Sequence, residues 1–214
     1  RIPIVAVTGT NGKTVVARLV ARLLSLSGKR TGLACSEGLY LDRRLVQKGD
    51  RADFASGTRL LMNRNLDAAV IENDSGVILG QGLAYDRCQV GVVTNIDDAD
   101  HLGDFDINET ERMFNVFRTQ VDVVLPTGAA VLNARDARVV EMAELCDGAV
   151  IFFGIEPALP AITAHLQQEG RAVFVRDGAI VLAQGAHEER LADVAAIPLT
   201  HGGRVAFQVE NVLA

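Results

Sequence analysis

Residues 2–24, IPIVAVTGTNGKTVVARLVARLL, decide the fold. Residues 2–7 read as a strand buried on both faces, because no polar residue alternates through them. From Thr14 the spacing changes. Val16, Leu19, Val20, Leu23 and Leu24 recur at the interval of one helix face, and Gly28 closes the helix. Between the two stand Thr8, Gly9, Thr10, Asn11, Gly12, Lys13 and Thr14. A helix start offers unpaired N–H groups and the positive end of the macrodipole, so it attracts phosphate. Gly9 and Gly12, lacking a Cβ, let the backbone curl closely around an anion. Lys13 can reach the β- and γ-phosphates of a nucleotide, and the Thr14 hydroxyl can ligate Mg²⁺. The segment therefore reads as a P-loop in its short form, Gly-x-x-Gly-Lys-Thr, with Val7 where the longer form carries a glycine.

Outward from this loop, apolar runs and helical patterns alternate. Strands are predicted over 2–7, 31–35, 68–72, 89–94, 121–125, 130–133 and 149–153, and helices over 14–27, 56–64, 109–120, 136–146 and 159–169. The runs are rich in Val and Ile without polar alternation, as parallel strands covered on both faces require. The alternation predicts an α/β fold: a P-loop-type, doubly wound, mostly parallel sheet with flanking helices. Residues 171–185, RAVFVRDGAIVLAQG, change style and predict a small C-terminal β-hairpin turning at Asp177-Gly178. No linker or repeat interrupts the pattern, so residues 1–214 are expected to form one domain. The start at Arg1 and the helical reading of FQVENVLA suggest a segment of a longer, multidomain chain.

Hydrophobic residues make up 49% of the chain and charged residues 22%, enough apolar material for a full core. No apolar run approaches the ~20 residues that span a bilayer, so a membrane partner is not expected. The formal net charge of −6 argues against nucleic acid as a partner. Cys35, Cys88 and Cys146 are odd in number and widely spaced, which fits reduced thiols and a cytoplasmic setting.

VTGTNGKT resembles the nucleotide loop of the Mur ligase family, ATP-dependent enzymes that form amide bonds. AAVIEND resembles that family's strand ending in a metal-binding glutamate, here Glu72. VVTNIDDADHLG resembles its segment with an asparagine and a metal-binding histidine, here Asn95 and His101. AVLNARD resembles its Leu-Asn-x-x-Asp segment near the adenine, here Asn133 and Asp136. Within the family, LYLDRRLVQKGD, AYDRCQVGVVTN and IPLTHGG are similar to the cyanophycin synthetase branch. The resemblance implies that ATP and Mg²⁺ are used and that the acceptor is of the polyaspartate type. An aspartate side chain would be activated as an acyl phosphate and attacked by arginine, in a full-length protein that is a homo-oligomer. It implies catalytic roles for Lys13, Glu72 and His101, with Thr14, Glu72 and His101 holding metal. Nucleotide contacts would come from Thr8, Gly9, Thr10, Asn11, Gly12, Lys13, Thr14, Asn95, Asn133 and Asp136.

Three phrases depart from the family pattern. Phe117, with Arg118 beside it, stands where a lysine is usual. Ser75 replaces an arginine after the glutamate, and ADFAS replaces a Thr-Gly-Pro-type phrase. All three concern the acceptor side. Two alternatives therefore stand beside the main reading: another Mur-like ligase, such as a folylpolyglutamate synthase relative, or a nucleotide-binding but catalytically silent module. His165, His187 and His201 match no motif and read as surface residues, and HEERLAD at 187–193 reads as a solvated face.

Overall fold

The computed structural model describes residues 2–97, 103–107 and 110–214. Strand β1 (Ile4–Thr8) delivers the chain to the glycine loop, and α1 (Lys13–Leu26) follows. Then come β2 (Thr31–Cys35), β3 (Gly38–Leu41), β4 (Arg44–Lys48), α2 (Phe54–Leu61), β5 (Ala68–Glu72), α3 (Ser75–Gln81) and β6 (Cys88–Val93). The second half runs through α4 (Thr110–Phe117), α5 (Thr119–Asp122), β7 (Val124–Asn133), α6 (Ala137–Glu141), β8 (Ala149–Phe153) and α7 (Pro160–Gln167). It ends with β9 (Arg171–Arg176), β10 (Ala179–Gln184), β11 (His187–Asp193) and α8 (Ala206–Leu213).

All strands join one sheet in the order β11-β10-β9-β8-β7-β6-β1-β5-β2-β3-β4. From β9 to β2 every pairing is parallel; antiparallel strands finish each edge. Helix α1 carries the chain from β1 to β2 on one side, while β6 pairs with β1 on the other. The winding thus reverses beside β1, which places the carboxyl ends of β1, β5 and β6 around a crevice of the kind that holds ligands in open α/β sheets.

Alternate residues of the central strands feed two cores. Val7, Val70 and Val92 pack with Val16 and Ala17 of α1 and Val209 of α8. Ala6, Ile71 and Val93 face the other layer, in one core with Phe117 and Val121 and, toward β8 and β9, Ile162. Among the described residues no helix is long and apolar enough to cross a membrane.

The parallel core, the glycine loop and the hairpin at Asp177-Gly178 stand as the sequence predicts, and the differences have local causes. The strands expected over 121–125 and 130–133 are one strand, β7, with Val121 in α5. Pairing jumps from Cys88↔Val124 to Val90↔Ala129, so the segment holding Pro126 and Gly128 bulges out without ending the strand. The helix expected over 109–120 breaks at Arg118 into α4 and α5. The hairpin gains a third strand: HEERLAD is β11, exposed along nearly its whole length and charged as a sheet edge should be.

Candidate functional site

The loop between β1 and α1 is shaped by its glycines. Gly9 has φ +122°, and a Cβ there would lie 2.2 Å from Thr94 Oγ1 and 2.9 Å from the Asn95 carbonyl oxygen. Gly12 takes φ +86° as the residue capping α1, and a Cβ on it would lie 2.2 Å from Oδ1 of Asn211 on α8. The loop is thus enclosed by the end of β6 on one side and by α8 on the other.

The segment after β6 holds the loop through paired hydrogen bonds. The Asn11 amide donates to Asn95 Oδ1 at 2.9 Å, and Asn95 Nδ2 donates back to the Asn11 carbonyl at 3.0 Å. Thr94 Oγ1 donates to the same carbonyl at 2.7 Å, and the Thr10 amide donates to the Asn95 carbonyl at 2.9 Å. Thr10 Oγ1 accepts the amide of Asp97 at 3.0 Å. Lys13 Nζ folds back to the Thr10 carbonyl at 3.0 Å, so the cation sits over the loop.

Beside the loop lies a buried carboxylate. Glu72, 3% exposed at the end of β5, accepts the Thr14 hydroxyl on Oε1 at 2.9 Å and the Ser36 amide on Oε2 at 3.0 Å. Thr14 Oγ1 also lies 2.8 Å from Ser36 Oγ. Among the described residues Glu72 has neutral partners and no cationic one. A buried anion without a counter-charge is costly, and the oxygen donors around it suit a divalent cation such as Mg²⁺. Among the described residues no three His, Cys, Asp or Glu side chains cluster as metal ligands. His101, the third metal ligand implied by the family resemblance, lies outside the described residues.

Thr8 is fully buried, and its hydroxyl donates to the Asn73 carbonyl at 2.9 Å. It ties β1 to the turn after Glu72. Asn73 Nδ2 in turn donates to Tyr85 Oη at 2.6 Å and Gln120 Oε1 at 2.7 Å, closing a buried polar network behind the carboxylate. Burial pushes the Tyr85 phenol well above its ordinary range.

A cleft of about 510 Å³ opens on the far side of the loop, lined by Asn11, Asn95, Asn133 and Asp136 together with Arg138 and Phe207. Asn133 Nδ2 donates to the Thr94 carbonyl at 2.8 Å. Asp136 accepts the amides of Ile96 at 2.7 Å and Arg138 at 3.1 Å, capping α6. These two side chains hold the cleft floor against the loop. The cleft lies beyond the strand ends and next to the glycine loop, a position where open α/β sheets bind ligands.

A family model described as the Mur ligase middle domain matches residues 7–214. This chain belongs to the Mur ligase family. It is 40% identical to the cyanophycin synthetase of Crocosphaera subtropica over all 214 residues, which is 24% of that protein's length. It is 32% identical to a UDP-N-acetylmuramoyl-L-alanyl-D-glutamate–2,6-diaminopimelate ligase of Chlamydia muridarum, covering 82% of this chain and 35% of that one. The chain thus spans about a quarter of the length of its cyanophycin synthetase relatives. A solved 2,6-diaminopimelate ligase superposes over the whole chain and 42% of its own, with a TM-score of 0.72 at 21% identity. That likeness is one of fold.

In this Mur ligase domain the departures have definite places. Phe117 is fully buried in the core, and Arg118 pairs with Asp122 at 3.2 Å on the surface. Ser75 begins α3 and is buried. Ser36 escaped the sequence reading. Its signal was positional: it follows β2 directly, and β2 pairs with the strand that ends in Glu72. Arg51 is a second such residue. Its amide donates to the Cys35 carbonyl at 3.0 Å, and its Nε is a buried side-chain nitrogen without a hydrogen-bond partner.

Proposed function

We propose that this domain is the ATP-binding core of an amide-forming ligase and that residues 1–214 are one domain of a longer multidomain chain. The observation that carries the reading is the convergence of Lys13, Thr14, Ser36 and Glu72 beside a glycine loop shaped for phosphate. ATP would sit with its phosphates on the amides of residues 9–14 and its base toward the cleft of Asn133 and Asp136. Thr14 and Glu72 would hold a divalent ion, Mg²⁺, with His101 as a further ligand; the ion would neutralise phosphate charge.

In this reading an acceptor carboxylate attacks the γ-phosphorus, forming an acyl phosphate as the bond to the ADP oxygen breaks. An amine then attacks the acyl carbon, phosphate leaves, and the amine's proton is lost. Lys13 would leave the Thr10 carbonyl to follow the charge on the transferring group. Likeness to the cyanophycin synthetases supports a polyaspartate-type acceptor and arginine as the amine. A second reading, a silent nucleotide-binding module, is favoured by the burial of Phe117 where the family places a lysine.

Calorimetric titration of ATP with Mg²⁺ into the protein, beside Lys13→Ala, tests the nucleotide site. Binding that is lost in the variant supports it; no binding, or binding that survives Lys13→Ala, overturns it. ATP hydrolysis that requires both acceptor and amine separates the ligase from the silent module.

A further inference from the structure

The net charge conceals an uneven distribution. Residues 13–67 carry eleven Lys and Arg against five Asp and Glu, a net of +6; residues 68–214 carry nine against twenty-two, a net of −13. The fold gathers the first set on the β2-β3-β4 side of the sheet. There a cleft of about 180 Å³ opens between α1 and the β3–β4 turn, lined by Arg18, Arg22, Ser25, Leu33, Tyr40 and Arg43.

The turn aims one of these cations deliberately. Asp42 and Arg43 both adopt left-handed backbone, φ 47° and 68°, where a hairpin would ordinarily use Asn-Gly. Arg43 reaches back to the Ser25 carbonyl at 3.3 Å, which fixes its guanidinium over the end of α1. Arg22 has no hydrogen-bond or ion-pair partner among the described residues. Arg18 pairs with Glu37, and Glu37 follows Ser36, whose amide holds Glu72. The cationic cleft therefore begins at Arg18, whose partner Glu37 is the sequence neighbour of the residue holding the buried carboxylate, and continues along α1 through Arg22 to Ser25.

We propose that this cleft is the docking groove for the carboxylate-rich acceptor chain, an acidic polypeptide whose reacting end is presented at Glu72. The proposal rests on the ligase reading and deepens it. Arg18 and Arg22, four residues apart on a helix, stand about 6 Å apart along its axis. An extended acidic peptide repeats its same-side carboxylates every ~6.7 Å, close to that spacing. Ala21 and Leu33 give the groove an apolar floor against which a peptide backbone can lie. Nucleic acid fits less well: among the described residues Tyr40 is the one aromatic residue lining the groove, too few to stack successive bases.

The test is fluorescence anisotropy of fluorescein-labelled deca-aspartate at low ionic strength, with the protein, Arg22→Glu/Arg43→Glu and Lys13→Ala. The double reversal should weaken deca-aspartate binding roughly tenfold or more, since two exposed charge contacts become repulsive. It should leave ATP binding unchanged, while Lys13→Ala should do the opposite. If the reversed variant does not fold, Arg22→Gln/Arg43→Gln gives the same reading. Unchanged deca-aspartate binding in the Arg22/Arg43 double variants overturns the groove. So does a protein that binds ATP but not deca-aspartate, a result that leaves the ligase reading standing. Displacement by an oligothymidylate of equal charge as effective as by deca-aspartate overturns it as well, replacing it with a generic polyanion face. Loss of ATP binding in the unmutated protein sinks the ligase reading instead.

Discussion

The hydroxyl of Thr14 and the carboxylate of Glu72 meet at 2.9 Å although 58 residues separate them in the chain. One lies in the first turn of the helix after β1 and the other closes β5, and the parallel register Val7↔Glu72 brings the two strand ends level. Glu72→Gln keeps the shape and removes the charge. Its expected effect is confined to metal: ATP affinity in Mg²⁺ should fall roughly tenfold, the scale of a lost charge-assisted contact. Affinity in excess EDTA should match the unmutated protein. Equal losses in both conditions would show that Glu72 acts on the loop and not on an ion.

Gly12→Ala should harm the loop twice. The left-handed backbone costs an L-residue roughly 1–2 kcal/mol, and the new Cβ would press on Asn211 Oδ1. Adding Asn211→Ala removes the second cost and leaves the first. Thermal unfolding of the two single variants and the double variant should therefore show favourable coupling. Strict additivity would mean that α8 does not press on the loop.

Phe117→Lys introduces the residue type that the family usually carries in this helix, yet it should not raise ligase or ATPase activity. The side chain at 117 is fully buried among Phe, Met and Val residues of the core. Lost packing and a buried ammonium together should cost at least about 3 kcal/mol. A stable Phe117→Lys protein would refute this placement of the side chain.

Two thiols make stability depend on pH. Burial pushes Cys35 up to about 11 and Cys88 up to about 12, from 9.0. Their folded values lie above the unfolded one, so their contribution is complete below pH 9 and is lost as pH rises toward 11–12. The midpoint of thermal unfolding should fall steeply above pH 9 and less steeply in Cys35→Ala/Cys88→Ala. A thiol reagent at pH 8 should modify Cys146, the half-buried cysteine, well before the other two.

The phosphate loop was legible because a buried strand, two glycines, Lys13 and an amphipathic helix are each local signals that agree. Glu72 needed the family resemblance: one acidic residue ending an apolar run is ordinary until the register beside β1 is known. The β3–β4 hairpin was not legible. Its outer strand is exposed at every residue and its turn is Asp42-Arg43, so neither alternation nor turn chemistry announces it. Strand β7 was misread for the opposite reason. Pro126 and Gly128 are strong turn signals locally, but the sheet absorbs them as a bulge while the pairing with β6 resumes at Ala129. Helix α3 has seven residues, too few to show a period.

The lattice of hydrogen bonds from Thr94, Asn95 and Asp97 to the glycine loop bears on the entropy of association. A free loop of seven residues would surrender much backbone freedom on closing around an anion, roughly 1–2 kcal/mol per residue at the upper limit. Here that freedom is already surrendered when the chain folds, because Asn11 and Thr10 are fixed before any ligand arrives. Capture of phosphate then requires one visible exchange of partners, Lys13 leaving the Thr10 carbonyl for the incoming oxygen. The same rigidity limits tolerance: a site ordered in advance cannot adjust to an anion of another shape, so discrimination among phosphates is set by the fold itself.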